Sequence, residues 1–224
     1  MRFGRKGRAD DSVEEPLEEP EEAIDDGNED WPGNTPIRAQ DASSGPFDAK
    51  DVEDLDEREG IDLGSLVITP AGPMEMRLQV DEDSGEVIAA VLVDEQGALE
   101  LRAFAAARGG GSWAELRPRI SAETARMGGT ATEQDGLFGT ELVCEVPMQL
   151  PDGQPGTQVS RISGHEGPNW LLRATLMGQP AAEPESAGPW EETIRSVVVR
   201  RGREAMAPGA PLRLTLPPDA RQVD

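Results

Sequence analysis

Bulky apolar residues are densest in the second half of the chain at Gly164–Gly178, where the sequence reads GHEGPNWLLRATLMG. In the last part of this stretch large side chains occupy both odd and even positions, which point to opposite faces of a strand. Both faces should therefore be covered, one of them by a helix. Glycine and proline at Gly164–Pro168 predict a turn, with His165 in or beside it, that follows an upstream strand at Thr157–Ser163. We interpret Trp170–Met177 as the central strand of the folded domain.

Several other strand-like runs alternate with short polar turns. Turns such as Asp81–Gly85 favour antiparallel pairing, because parallel neighbours need a long crossover connection. The run at Leu212–Leu216 is predicted to be an edge strand or an extended segment. The remaining predicted strands are Ile61–Ile68, Met74–Val80, Val87–Val93, Ala98–Ala106, Thr130–Gln134 and Thr140–Met148.

Two segments have helical periodicity instead. Ser112 and Glu115 match a capping box, with Ser112 as the N-cap, and apolar residues then recur at helical spacing until Gly128-Gly129. Pro118 should kink this helix or delay its start. A second helix is predicted from Pro189, which suits a first helical turn. The apolar stripe of the first helix is Trp113, Leu116, Ile120, Thr124 and Met127, and that of the second is Trp190, Ile194, Val197 and Val198. The predicted class is α+β, an antiparallel sheet flanked by two main helices.

The charge of the chain is unevenly distributed. The 224 residues carry a formal net charge of −23, yet the first nine residues hold four basic groups and no acid. A long acidic run follows. Residues 1–44 are rich in acids, proline and glycine and have few large apolar groups, so we expect them to form a disordered tail. Residues 45–216 are the predicted single folded domain, and residues 217–224 a C-terminal tail.

Composition narrows the possible functions. No apolar run is long enough for a membrane span, and the basic start has no apolar core of a signal peptide. A single cysteine, Cys144, fits a reducing cytoplasm, which is the predicted location. Nucleic acid is not an expected ligand, because binding phosphates needs a basic footprint. One histidine and one cysteine exclude a metal site built from several such ligands, but an all-oxygen site stays open. No cofactor is predicted.

Four stretches carry a resemblance to a known family: MRFGRKGR at the start, GPFD at Gly45–Asp48, IDLGSL at Ile61–Leu66 and GPNWLLRATLMG at Gly167–Gly178. With these the chain resembles an actinobacterial family of conserved proteins of unassigned function, for which no catalytic residues are established. The order of strands, helix, strands and helix is similar to the PsbP-like fold, a sandwich of an antiparallel sheet and helices. Fold resemblance of this kind does not imply a function.

The leading functional hypothesis is a non-enzymatic interaction module for an unidentified protein partner, with the acidic tail modulating contacts. The chain has no tyrosine and no HExxH or GxSxG motif, and acids such as Asp62, Glu141 and Glu145 need no special role in so acidic a chain. No catalytic residue is assigned.

The alternative is a small-molecule-binding or hydrolytic domain that acts on an anionic ligand. Its pocket would be assembled from Arg161, His165 and Arg173, with the first two on one face of a strand and Arg173 across the hairpin. A lone histidine near a turn is more often a hydrogen-bonded or solvated residue than a catalytic one. A third possibility is a structural subunit of a homo-oligomer.

Overall fold

The described residues form a large sheet of seven strands: β4 Glu75–Val80, β5 Val87–Val93, β6 Gly97–Ala105, β7 Thr130–Gly136, β8 Gly139–Gln149, β9 Pro155–Gly167 and β10 Trp170–Gly178. These strands are antiparallel and follow the order β4-β5-β6-β10-β9-β8-β7. The computed structural model describes residues 45–57, 59–82, 84–150 and 152–217. The predictions for the tails at residues 1–44 and 217–224 therefore lie outside the described residues, apart from residue 217. Strand β10 is fourth of the seven, so its predicted central position and the α+β class are confirmed.

One face of this sheet, here called the first face, holds the main hydrophobic core. Strand β10 contributes alternate residues, beginning with Trp170 and Leu172, and β5 and β6 contribute Leu92, Leu99 and Leu101. Helix α3, Gly188–Ser196, packs here with Trp190 and Ile194 of its predicted stripe buried. The helix ends before Val197 and Val198, so their predicted helical placement is wrong, because Val198 instead pairs as a strand with Phe47 and Val67. A one-turn helix, α2 Gln179–Ala182, and two 3-10 turns, Leu55–Glu57 and Pro184–Ser186, complete the connections. Both helices on this side are positioned by residues that follow β10 directly.

A second, small sheet packs against the same core. Its order is β1-β11-β3-β2, from β1 Phe47–Asp48, β2 Ile61–Asp62, β3 Leu66–Ile68 and β11 Val198–Val199. β1 runs parallel to β11, and the other pairs are antiparallel. The Trp170 indole N–H donates to the Asp48 carboxylate at 2.8 Å, and both residues are buried. This hydrogen bond ties the small sheet to the centre of the large one.

The opposite, second face is covered by a helix over one half only. Helix α1, Ser112–Arg126, contacts β7, β8 and β9. Its Trp113 packs with Leu142, Cys144 and Leu171 in a separate core cluster. Over β4, β5 and β6 no helix lies on this face in the described part of the chain. We call the second-face surface of β4, β5, β6 and the adjoining residues of β10 the helix-free face.

The N-terminus of α1 differs from the prediction. The helix begins at Ser112 and continues through Pro118, so the proline does not delay its start. The N-cap is Gly111, and no side-chain capping bond forms at Ser112. The Glu166 carboxylate instead accepts hydrogen bonds from the backbone N–H groups of Gly111 and Trp113, at 3.2 Å each. A strand residue distant in sequence therefore replaces the predicted capping box.

The hairpin before β10 is also tighter than predicted. β9 continues to Gly167, and the turn is made by Pro168 and Asn169, with Asn169 at φ 63°. Gly164 is therefore within the strand, and His165 pairs with Leu172 in the sheet. The placement of His165 in or beside a turn is wrong, because the glycine before it makes room for a packing contact. A Cβ atom on Gly164 would lie 2.3 Å from the Trp113 ring.

The predicted C-terminal segment stays extended beside β6. The carbonyl of Ala103 accepts from the Leu212 N–H, and isolated bridges join Phe104 to Pro211 and Val87 to Leu214. It takes the place beside β6 that β5 leaves open, since β5 pairs with β6 only up to Leu101.

Candidate functional site

The three residues of the predicted anion pocket do not meet. Arg161 and His165 pair with Leu176 and Leu172, which belong to the core of the first face. Arg173 lies at an alternate position of β10, opposite Gly164, and so points to the second face. The shared pocket is therefore wrong in its geometry. The ligand-binding role predicted for each of the three residues stays a prediction.

Arg161 is held in a buried ionic network. Its Nε and Nη2 atoms donate to the two carboxylate oxygens of Glu141 at 3.0 and 3.2 Å, and Nη2 also reaches Glu191 at 3.4 Å. The Gln134 amide donates to Glu141 at 2.7 Å. Arg161 is 6% exposed and Glu141 4%. The hydrogen-bonding groups of this network are bonded to one another, which is the arrangement of a structural ion pair.

The other two acids considered as candidate carboxylates are not paired with each other. Asp62 accepts from both terminal nitrogens of Arg200, at 3.1 and 3.2 Å. Partial burial alone would raise the pKa of Asp62, but hydrogen bonds from Arg200 and from the Gly64 N–H hold it below its usual value. Glu145 is exposed on β8.

His165 forms a buried pair with a serine that sequence reasoning missed. The Ser163 hydroxyl lies 3.0 Å from His165 Nε2, and Phe138 contacts the imidazole edge-on at 4.6 Å between ring centroids. His165 Nδ1 has no hydrogen-bond partner among the described residues. Complete burial lowers the pKa of His165 to about 3, so the ring is neutral near pH 7. The spacing of a nucleophile and a base is present, but so weak a base in a sealed core is poorly suited to catalysis.

Arg173 takes part in a different cluster on the helix-free face. It lies directly opposite Arg102 of β6, and it donates from Nη2 to Glu100 at 2.6 Å. Both guanidinium groups lie beside the ring of Phe104, with their central carbons 5.8 and 5.9 Å from its centroid. We call Glu100, Arg102, Phe104 and Arg173 the arginine-pair cluster. Sequence reasoning missed Arg102, since only the register of β6 against β10 brings the two arginines together.

The arginine-pair cluster has unused hydrogen-bonding capacity. The Nε atoms of both arginines are buried and have no hydrogen-bond partner within the described residues. Arg102 forms no hydrogen bond there at all, although it is only partly exposed. Chemically, the cluster presents guanidinium donors without an acceptor, which is the requirement for binding an oxyanion.

A shallow surface depression of about 590 Å³ lies at one end of the helix-free face. The Glu75 carboxylate within it is bonded to Arg77 at 3.1 Å. Asp94 accepts from the N–H groups of Gln96 and Gly97 and so stabilises its own turn. The depression is lined by Pro73, Glu75, Arg77, Val93, Asp94, Glu95 and Gln96. Its charged groups serve local structure and assemble no reactive site.

The described ranges lack two further kinds of feature. No group of three or more histidine, cysteine or acidic side chains there is arranged to hold a metal ion. No helix there has both the length and the apolar character needed to cross a bilayer.

Fold and site together define an α+β domain with a two-sheet core and an arginine-pair cluster on a sheet face without a helix. The chain belongs to the family described as "Protein of unknown function (DUF3710)", whose model matches residues 45–223. The actinobacterial distribution and PsbP-like architecture implied by the resemblance stay predictions. Among curated proteins, none matches this sequence.

Part of the chain is similar to a solved structure. It is a crystal structure at 1.50 Å resolution of a protein from Bacteroides thetaiotaomicron VPI-5482, with 17% sequence identity and a TM-score of 0.31. The similarity covers 62% of this chain and 49% of that one, so the chain spans about half the length of its neighbour. At this TM-score it supports no conclusion about function.

Proposed function

We propose that this chain is a cytoplasmic, non-enzymatic interaction module that binds a protein partner on the helix-free face. In this proposal the acidic N-terminal segment modulates the contact. The partner carries acidic groups that complement the arginine-pair cluster. The observation that carries the proposal is that cluster, two half-buried arginines with unpaired donors on a sheet face that no described helix covers.

The surroundings of the cluster support a macromolecular contact. Val91, Thr175 and Met177 lie on the same face and are partly exposed. A sheet face that offers apolar area around a few buried polar anchors has the composition typical of protein interfaces. Arginine in particular is enriched among the residues that contribute most to binding.

Position-specific photocrosslinking of the full chain in its own cells tests the proposal. A photoreactive amino acid is introduced at Gln79 or Thr175 on the helix-free face, and at Arg119 on the exposed side of α1 as the control. We expect one protein to be crosslinked from the first two positions and not from Arg119. The purified partner should then bind the unmodified chain and lose affinity for the Arg102→Glu variant.

Three results of these experiments would contradict the proposed function. Equal labelling from Arg119, or none from either position on the helix-free face, would contradict the proposal. A partner that binds the Arg102→Glu variant with unchanged affinity would do the same.

A second candidate function is the binding of a small anionic ligand. The same unpaired Arg102 favours it, because a free carboxylate and a protein carboxylate offer the same oxygens to a guanidinium. Direct titration with sodium acetate distinguishes this candidate from the first.

A further inference from the structure

The two arginines of the arginine-pair cluster lie where a sheet would ordinarily avoid them. Arg102 and Arg173 are direct cross-strand partners, and like charges in such positions destabilise a sheet. Burial lowers the pKa of Arg102, and the nearby charge of Arg173 lowers it further, while Glu100 acts in the opposite direction. Among the described residues, Glu100 is the only carboxylate that is hydrogen-bonded in the cluster, and it bonds Arg173 alone. An external anion would relieve this repulsion.

The cluster is preorganised for such an anion. Phe104 supports both guanidinium groups through cation–π contacts, which fix their positions without using their N–H donors. On the β9 side of the pair, Gly164 lies opposite Arg173 and is covered by the Trp113 ring.

We propose that Arg102 and Arg173, supported by Phe104, form a carboxylate-binding site that anchors an acidic segment of a protein partner. The carboxylate-binding site is argued from the contacts above. That the bound carboxylate belongs to a protein partner rests on the proposed function. Arg102 supplies the free guanidinium fork, and Arg173 supplies the donors that Glu100 leaves unused.

Charge counting favours a carboxylate over a phosphate. The two arginines and Glu100 leave one net positive charge, which a single carboxylate neutralises. A phosphate dianion would add a second negative charge next to the partly buried Glu100. The planar fork of a guanidinium also matches the two oxygens of a carboxylate, which it binds in a bidentate way.

The experiment is a titration of the full chain at about 0.15 M salt, where long-range repulsion from the acidic chain is screened. The main probe is a fluorescein-labelled nonapeptide of alternating glutamate and serine, read by fluorescence anisotropy. The same peptide with glutamine in place of glutamate is its negative control. Sodium acetate and inorganic phosphate are tested as competitors and as ligands by calorimetry.

The variants are Arg102→Gln and a matched control, Arg117→Gln. Arg117 also lies over an aromatic ring, 5.7 Å from the centroid of Trp113, and bonds a glutamate, but its Nε is satisfied by Glu133 at 2.9 Å. We expect Arg102→Gln to weaken peptide binding about tenfold or more, as the loss of a charged hydrogen bond does. Arg117→Gln should change it less than about twofold.

A stability measurement separates a binding role from a structural one. Because Arg102→Gln removes a like-charge contact, its midpoint of thermal unfolding should equal or exceed that of the unmodified chain. A lower midpoint together with unchanged peptide binding would mean that Arg102 serves the fold, and would overturn the site.

The acetate, phosphate and peptide titrations distinguish the remaining outcomes. Acetate binding that depends on Arg102, without peptide binding, would support the carboxylate site and overturn the protein-partner function. Phosphate binding tighter than either carboxylate would overturn the carboxylate assignment. Binding that falls equally in Arg102→Gln and Arg117→Gln would reflect general charge and overturn the site.

Discussion

His165 shows what complete burial does to one ionisable side chain. Its Nε2 shares a hydrogen bond with Ser163, whereas Nδ1 has no partner in the described part of the chain, so a protonated ring would carry an unpaired charge. Burial depresses the pKa in the folded state to about 3, while the unfolded chain takes up the proton near the ordinary value of 6.5. The contribution of the buried neutral His165 to the free energy of unfolding is therefore complete above about pH 6.5 and is lost as the pH falls towards 3.

Replacing this histidine should remove that pH dependence. From pH 7 to pH 5 we expect the free energy of unfolding of the unmodified chain to fall by about 2 kcal/mol more than that of His165→Leu. Urea unfolding at pH 7, 6 and 5 measures the difference. Parallel pH profiles for the two proteins would contradict the burial of a neutral imidazole.

Arg161 and Glu141 lead to a second residue-scale prediction, because their buried charges pair at 3.0 Å. Arg161→Met should lower the free energy of unfolding by about 3–5 kcal/mol, since it leaves the Glu141 charge without its main partner. Adding Glu141→Gln should recover part of that loss. Urea unfolding of both single variants and the double variant gives the coupling, and strictly additive losses would contradict the buried pair.

At the scale of elements, α1 depends on a residue outside the helix. Glu166 of β9 accepts from two N–H groups at the start of α1, whereas Ser112 makes no capping bond. Glu166→Ala should therefore cost about 1–2 kcal/mol, the usual loss for a capping group. Glu166→Gln, which keeps one acceptor oxygen, should cost less. Ser112→Ala should change stability by less than about 0.5 kcal/mol, and a larger loss than for Glu166→Ala would restore the capping box.

The predictable elements are those whose signal lies within one segment. β5 and β10 were predicted because apolar residues occupy both of their faces, and α3 because Pro189 precedes a clear apolar stripe. The two-residue strands β1 and β11 have no periodicity to detect. They are strands because partners far away in sequence supply their hydrogen bonds.

The errors at the candidate site arise from contacts between segments that are distant in sequence. Gly164 reads as a turn residue, but its missing side chain instead lets the Trp113 ring approach the backbone. The three-residue pocket failed because alternation along adjacent strands sends Arg173 away from Arg161. Arg102 was missed for the same kind of reason, since local sequence does not contain strand register.

At the scale of the whole molecule, the bond between Asp48 and Trp170 joins the two sheets. Asp48→Ala should lower the free energy of unfolding by about 2–3 kcal/mol, because it leaves the buried indole N–H without an acceptor. Asp51→Ala, which removes an exposed acid three residues later, should change it by less than about 0.5 kcal/mol. Urea unfolding followed by circular dichroism compares the two, and equal effects would contradict a tie between the sheets.

The place of β11 in the small sheet has a consequence for biosynthesis. Val198–Val199 lies between β1 and β3, so strands made early by the ribosome pair with a strand that is made after β10. Chains emerge from the N-terminus, and a domain folds as a unit once its parts are available. Until residue 199 is free, Leu66 and Val67 lack their strand partners in the small sheet. The small sheet therefore forms only after all strands of the large sheet have been made, and we expect a nascent chain stalled before β11 to be bound by chaperones.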